Sequence, residues 1–265
     1  MPYVRNGHVL RSSVALTIVL SLLSLVSIVF LGMEAVGTDW ASLLTDETWR
    51  DSLFMTLYVV SVSTILSLII GTWLARTAVQ QKWRITSSVI RIPMFVPHIA
   101  AAYLILLFFS GPFGSGWIEA NERDYVTVIL TYIWKETPFV FLMMLGTYEQ
   151  LNRGYLETAK TLQLSPVEQF KHAEFPFLIK PLLDATWIMI AFVSFAYEVP
   201  ALLGVTYPKL LGVLAYERLS TGLYLEASEP YAVALVWTWV VGCGVCISYW
   251  LTSSIRRRIE RGVKR

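Results

Sequence analysis

The stretch LFMTLYVVSVSTILSLIIGTWLA, Leu53–Ala75, contains no charged residue, and Arg76 ends it. A helix needs about 20 mostly apolar residues to cross a hydrocarbon core about 30 Å thick. This run is long enough. Its apolar residues are continuous rather than alternating, which favours a helix over a barrel strand. Working outward, Ser13–Met33 precedes it with the same character, and Ile92–Ser110, Tyr125–Tyr148, Ile179–Gly204 and Tyr231–Thr252 follow. The expected fold is an all-α membrane protein with six transmembrane helices in a single domain, residues 1–265.

Composition agrees. The chain is 55% hydrophobic and 15% charged, against about 25% charged in an average soluble domain. That excludes a disordered, collagen-like or nucleic-acid-binding chain, and leaves too little polar surface for a soluble enzyme. The net charge of +2 hides an asymmetry. The N-terminus, second loop, fourth loop and C-terminus carry sixteen Lys and Arg, including the run Arg256-Arg257-Arg258, and the opposite loops carry only Arg50, Arg123, Lys209 and Arg218. Positive charge favours the cytoplasmic side, so both termini are expected there, with membrane lipid as the surrounding partner. The first run is too long for a typical signal-peptide core and is read as an anchor. Trp40, Trp49, Trp117 and Trp134 read as interfacial anchors, and Gly71, Gly242 and Gly244 as close-packing points between helices.

Motifs for chemistry within the chain are missing. No phosphate loop, G-x-S-x-G or H-E-x-x-H occurs. Cys243 and Cys246 form a C-x-x-C inside the last apolar run, where buried inert thiols are expected. His8, His98 and His172 are too scattered to define a metal site. No cofactor is expected in this chain.

The fourth loop, 149–181, is the most organised polar segment. Leu156, Ala159 and Leu162 fall at helical spacing and suggest a short apolar stripe. Ser165-Pro166-Val167-Glu168 is a helix start, with Ser165 as cap, Pro166 at the first helical position and Glu168 at the capping-box position. A break is expected near Gln163–Ser165, and Pro176 is expected to break the chain before the fifth span. Such a helix could rest on lipid or dock into a groove on a partner.

Glu157-Thr158-Ala159, Gln163-Leu164-Ser165, Phe170 and Phe175-Pro176 resemble the EAA loop of bacterial ATP-binding-cassette importer permeases, E-A-A-x-x-x-G-A-S followed by F and L-P. Thr158 stands in place of the second motif residue, Gln163 in place of glycine and Leu164 in place of a small residue. Glycine readily takes a positive φ at a helix end, so the shape of the turn at Gln163 is the open point. The resemblance runs from about Asp51 to the C-terminus. Trp134–Phe139, Glu198–Gly204 and Leu211–Tyr216 add a likeness to polyamine, opine, phosphonate and iron permeases.

The resemblance implies a type I importer permease in the bacterial cytoplasmic membrane. Its implied partners are separate ATPase subunits carrying ATP and Mg, a second permease copy or a homologous permease, and an extracytoplasmic substrate-binding protein. Glu157 would contact the ATPase, Leu156, Ala159 and Leu162 would pack the joint, and Gln163 and Ser165 would shape the turn. Solute would pass by alternating access.

Charges inside a span are costly, so Lys135 and Glu136 need a partner or a function. They are read either as structural pairs, with Glu198 a candidate partner, or as lining of the path together with His98. Glu198 precedes Pro200, which is expected to break or kink the fifth span. Pro93, Pro97 and His98 form a kinked entry to the third. A competing reading is an autonomous ion-coupled carrier or channel relaying through Lys135, Glu136 and Glu198.

Overall fold

The computed structural model describes residues 7–81, 88–112, 122, 124–151, 161–221 and 228–263. Among the described residues every regular element is helical: α1 (Gly7–Glu34), α2 (Trp40–Thr45), α3 (Glu47–Gln81), α4 (Ile92–Phe95), α5 (His98–Ser110), α6 (Val126–Gln150), α7 (Pro166–Gln169), a π-helical turn (Phe170–Glu174), α8 (Phe175–Ser194), α9 (Glu198–Leu203), α10 (Leu211–Thr221) and α11 (Ser228–Val263). Among the described residues, five helical runs are long and apolar enough to cross a membrane: Val14–Glu34, Glu47–Gln81, Val126–Gln150, Pro166–Ser194 and Ser228–Ser253.

The third expected span is divided. Pro93 sits in the first turn of α4, and Pro97 caps α5, so the entry is a break rather than a kink; α5 itself has 13 residues. The fifth span also differs. The helix ends at Phe195, ahead of Pro200, and Pro200 lies in the first turn of α9. A proline is tolerated there because the amide it lacks would have no partner within the helix. Pro176 follows the same rule. It does not break the chain but occupies the first turn of α8, and the helical run from α7 continues through the π turn, where the Phe175 amide bonds the Phe170 carbonyl.

α3 and α6 share the most extensive helix–helix interface. The face of α3 turned inward carries Ser52, Thr56, Ser63, Ser67, Gly71, Ala75 and Ala78, while Ile65, Ile69 and Trp73 point outward. Lipid is as apolar as leucine, so helices in a membrane associate by close packing, and small residues allow it. At Gly71 a Cβ would lie 2.7 Å from the Cβ of Val140 on α6. Gly244 is tighter still against the Trp187 ring of α8, but Gly242 faces open space and is no packing point. α1 stands against α11 with none of its apolar window buried.

Two further expectations change. Cys243 and Cys246 are exposed on α11 rather than buried, because only a narrow face of that helix meets the bundle. Trp49 is 4% exposed, and its indole donates to Glu229 at 3.1 Å, which fixes it inside the bundle rather than at an interface.

Candidate functional site

The turn before α7 is built locally. Gln163 has φ 52°, the left-handed conformation that the glycine of the motif would supply. Thus the turn keeps the glycine-like geometry without the glycine. Ser165 caps α7 through a complete capping box: its hydroxyl accepts from the Glu168 amide at 3.3 Å, and the Glu168 carboxylate accepts from the Ser165 amide at 2.9 Å. The Ser165 hydroxyl also donates to Glu168 at 2.7 Å. These bonds hold the Glu168 carboxyl below the usual carboxylate range. Around this turn Leu162 is 66% and Val167 75% exposed. Leu156, Glu157 and Ala159 lie outside the described residues.

Directly behind the turn is a contact that the sequence did not disclose. Glu174, on the π turn, is 1% exposed. Its carboxylate receives a two-pronged bond from Arg76 near the end of α3, with Nε–Oε2 at 2.8 Å and Nη2–Oε1 at 2.9 Å. The Tyr148 hydroxyl, from the last turn of α6, donates to Oε2 at 2.9 Å. Arg76 also donates to the Pro166 carbonyl at 3.2 Å and lies 5.8 Å from the centre of the Phe170 ring. In the sequence Arg76 was one of the charges that ends a span, and Glu174 one acidic residue of a loop. No spacing joins them, because 98 residues separate the two; the sequence shows only that Phe170 and Glu174 stand four residues apart.

The intramembrane charges form a second site. Lys135 is 4% exposed, and its ammonium donates to the Pro93 carbonyl at 2.7 Å and to the Val96 carbonyl. These carbonyls lie in and just after α4, at the break between α4 and α5. The lysine therefore pairs the Val96 carbonyl, which the interrupted helix would leave open in lipid, and adds a second donor to the Pro93 carbonyl, which already accepts from the Val96 amide. Its neighbour Glu136 faces elsewhere and approaches His98 Nε2 at 3.4 Å. The His98 ring packs on Phe192 with centroids 5.1 Å apart. Met94, His98, Lys135, Glu136, Phe139 and Phe192 line a cavity of about 270 Å³. Glu198 is not part of it: it is exposed at the start of α9, and among the described residues it makes no ion pair. Asp184 of α8 accepts from the Tyr249 hydroxyl of α11. Hence the structure brings Lys135, Glu136 and His98 together and leaves Glu198 apart.

Residues 67–261 match the family described as binding-protein-dependent transport system inner membrane component. The chain belongs to this family. It is a permease subunit of an ATP-driven importer, and a multi-pass inner-membrane protein. The permease is 25% identical over 199 residues to the molybdate/tungstate transport system permease protein WtpB of Methanocaldococcus jannaschii, covering 73% of this chain and 78% of the relative. It is 25% identical over 226 residues to the molybdenum transport system permease protein ModB of Azotobacter vinelandii, covering 79% and 94%. In fold it resembles a chain of a bacterial alginate ABC transporter solved with a pentasaccharide-bound periplasmic protein, with TM-score 0.68, 15% identity and coverage of 97% and 96%. A chain of the inward-facing MetNI methionine transporter matches with TM-score 0.57, 18% identity and coverage of 78% and 94%. Family membership decides between the two readings of the sequence, in favour of the importer and against an autonomous carrier.

Proposed function

We propose that this permease turns ATP hydrolysis on separate ATPase subunits into alternating access for a small solute, through the cytoplasmic segment 149–181. ATP and Mg belong to those subunits. The observation that supports this reading is the pair of exposed apolar side chains, Leu162 and Val167, on either side of the rigidly capped turn. They lie beside the charged, capped residues of a loop, where exposed apolar surface on a fixed scaffold suits a protein groove. Glu157 contacts the ATPase, Leu156 and Ala159 extend the apolar contact of Leu162, and Gln163 and Ser165 hold the turn.

The basic asymmetry of the loops supports placing both termini in the cytoplasm. The permease pairs with a second copy of itself or with a homologous permease. An extracytoplasmic binding protein delivers solute to the opposite mouth. His98 and Glu136 line the path through the cavity beside the α4–α5 break, and Lys135 holds that break in place while bordering the same cavity. Glu198 belongs to the outer end, where α8 gives way to α9.

The test is copurification and transport with Glu157→Ala and Leu162→Asp. Both variants should reach the membrane, and both should lower ATPase association and solute uptake. Normal association and uptake in both would remove this loop from the coupling role.

A further inference from the structure

The contact between Arg76 and Glu174 joins three parts of the chain that lie far apart in sequence. Arg76 lies near the C-terminal end of α3, Tyr148 lies in the last turn of α6, and Pro166, Phe170 and Glu174 belong to the segment behind the docking turn. Both oxygens of the Glu174 carboxylate are engaged, and it is 1% exposed. The π turn places Phe170 and Glu174 on the face that meets Arg76, since its extra residue per turn resets the direction of the helix. Arg76 presents a flat guanidinium with a forked donor edge to the carboxylate, a geometry that resists rotation as well as separation. α3 and α6 already pack against each other along their length, with Gly71 allowing close approach. A displacement of the segment at Pro166–Glu174 therefore carries α3 and α6 with it as long as this contact holds, with the packing of Phe170 on the shared core acting in the same sense.

Resting on the docking reading above, we propose that Arg76 is the positioning residue that binds the docking segment to α3 and α6 as one mechanical body. Movement imposed by the ATPase is passed to the transmembrane helices through the Arg76–Glu174–Tyr148 contact. The Phe170 ring and the Pro166 carbonyl keep the guanidinium in register. The segment is also tied through α8, which packs against both α3 and α6, but among the described residues the Arg76–Glu174 contact is the one ion pair that joins the segment to them.

The experiment measures solute moved per ATP hydrolysed, with the assembled complex in liposomes, for Arg76→Gln, Arg76→Lys and Tyr148→Phe. In Arg76→Gln the ATPase should stay bound while the ratio falls by about five-fold or more. Arg76→Lys, which retains the charge but lacks the fork, should fall between Arg76→Gln and wild type. Tyr148→Phe, which leaves the ion pair intact, should produce the smallest drop. A purely structural role would lower transport and hydrolysis in parallel and leave the ratio unchanged, and that result overturns the proposal. If Arg76→Gln does not assemble, Arg76→Lys and Tyr148→Phe decide, and an unchanged ratio in both overturns it. Failure of the wild-type permease to bind any ATPase would instead sink the docking reading, whereas normal binding with an unchanged ratio sinks only the role of Arg76.

Discussion

At the loop end of the bundle one buried carboxylate, Glu174, gathers Arg76 and Tyr148 from two other helices. At the far end α3 meets the segment 205–221 through contacts that are spread out. The Tyr207 hydroxyl donates to Asp51 at 2.6 Å, the Ser52 hydroxyl to the Lys209 carbonyl, and the Leu211 amide to Thr56 Oγ1 at 2.9 Å. Tyr125 donates to the Pro208 carbonyl at 2.5 Å, and Arg218 bonds Asp46 at 3.3 Å. A single ionic focus transmits force and fails as a unit. A row of hydrogen bonds with a partly exposed ion pair, Arg218–Asp46, among them shares load, and it tolerates the loss of one member. The difference matches the proposed division of labour, in which the loop end receives a push and the far end has to hold its shape around the mouth.

Four measurements would break or sharpen this contrast. The largest effect is expected from Arg76→Leu, which leaves the Glu174 carboxylate buried without its counter-charge, a change that costs about 3–5 kcal/mol. Thermal unfolding of the detergent-purified permease reads it, and a loss no larger than that of a far-end variant would erase the distinction. Next comes Gly71→Ala, in the α3–α6 interface between the two ends. Its Cβ would press on Val140, so overpacking of about 1–3 kcal/mol is expected, while Gly242→Ala, facing open space, should cost nothing. Equal stability of the two variants would argue against a rigid α3–α6 pair.

A smaller loss should follow Thr56→Val at the far end. It removes one acceptor and leaves the Leu211 amide unpaired, at about 1–2 kcal/mol, with the neighbouring contacts intact. Uptake should be close to wild type in that variant, and a coupling defect as deep as that of Arg76→Gln would contradict the shared-load picture. The smallest effect concerns pH. The Glu168 carboxyl titrates below its ordinary range in the folded turn, so its contribution is present above the ordinary carboxylate pKa and is lost as pH falls through the lowered value. The hydrogen-exchange protection factors of residues 161–169, taken relative to the intrinsic rate at each pH, should therefore fall on acidification, and Glu168→Gln, which can still close the capping box, should flatten that dependence.

The sequence was most informative where the interactions are local. Ser165, Pro166 and Glu168 are neighbours, and the capping box they form is legible from spacing alone. Gln163 could be placed at the turn but not given a conformation, because whether a non-glycine takes φ 52° depends on what the surrounding chain imposes. Pro97 marked an interruption, though a full break rather than the expected kink; Pro176 was misread as a break, and the break expected at Pro200 lies just ahead of it. A proline signals a boundary without saying on which side of it the helix lies, and both residues turned out to begin helices. Lys135 demanded a partner on energetic grounds, and the candidate was a carboxylate. Its partners are the backbone carbonyls of Pro93 and Val96, which no residue-type pattern encodes.

What the sequence determined by itself is the set of apolar runs, the sidedness of their flanking charge, the capped turn between two of them and the family to which these belong. All of these rest on composition or on contacts within a few residues, and the physics of insertion acts on each segment separately. The tertiary structure alone decided that Arg76 meets Glu174 and Tyr148, that Lys135 stoppers a broken helix, that His98 and Glu136 share a cavity and that Glu198 stands apart. Those pairings span long stretches of chain, and in lipid they are selected by which helices approach closely at small residues such as Gly71, a choice made by the whole bundle rather than by any one segment.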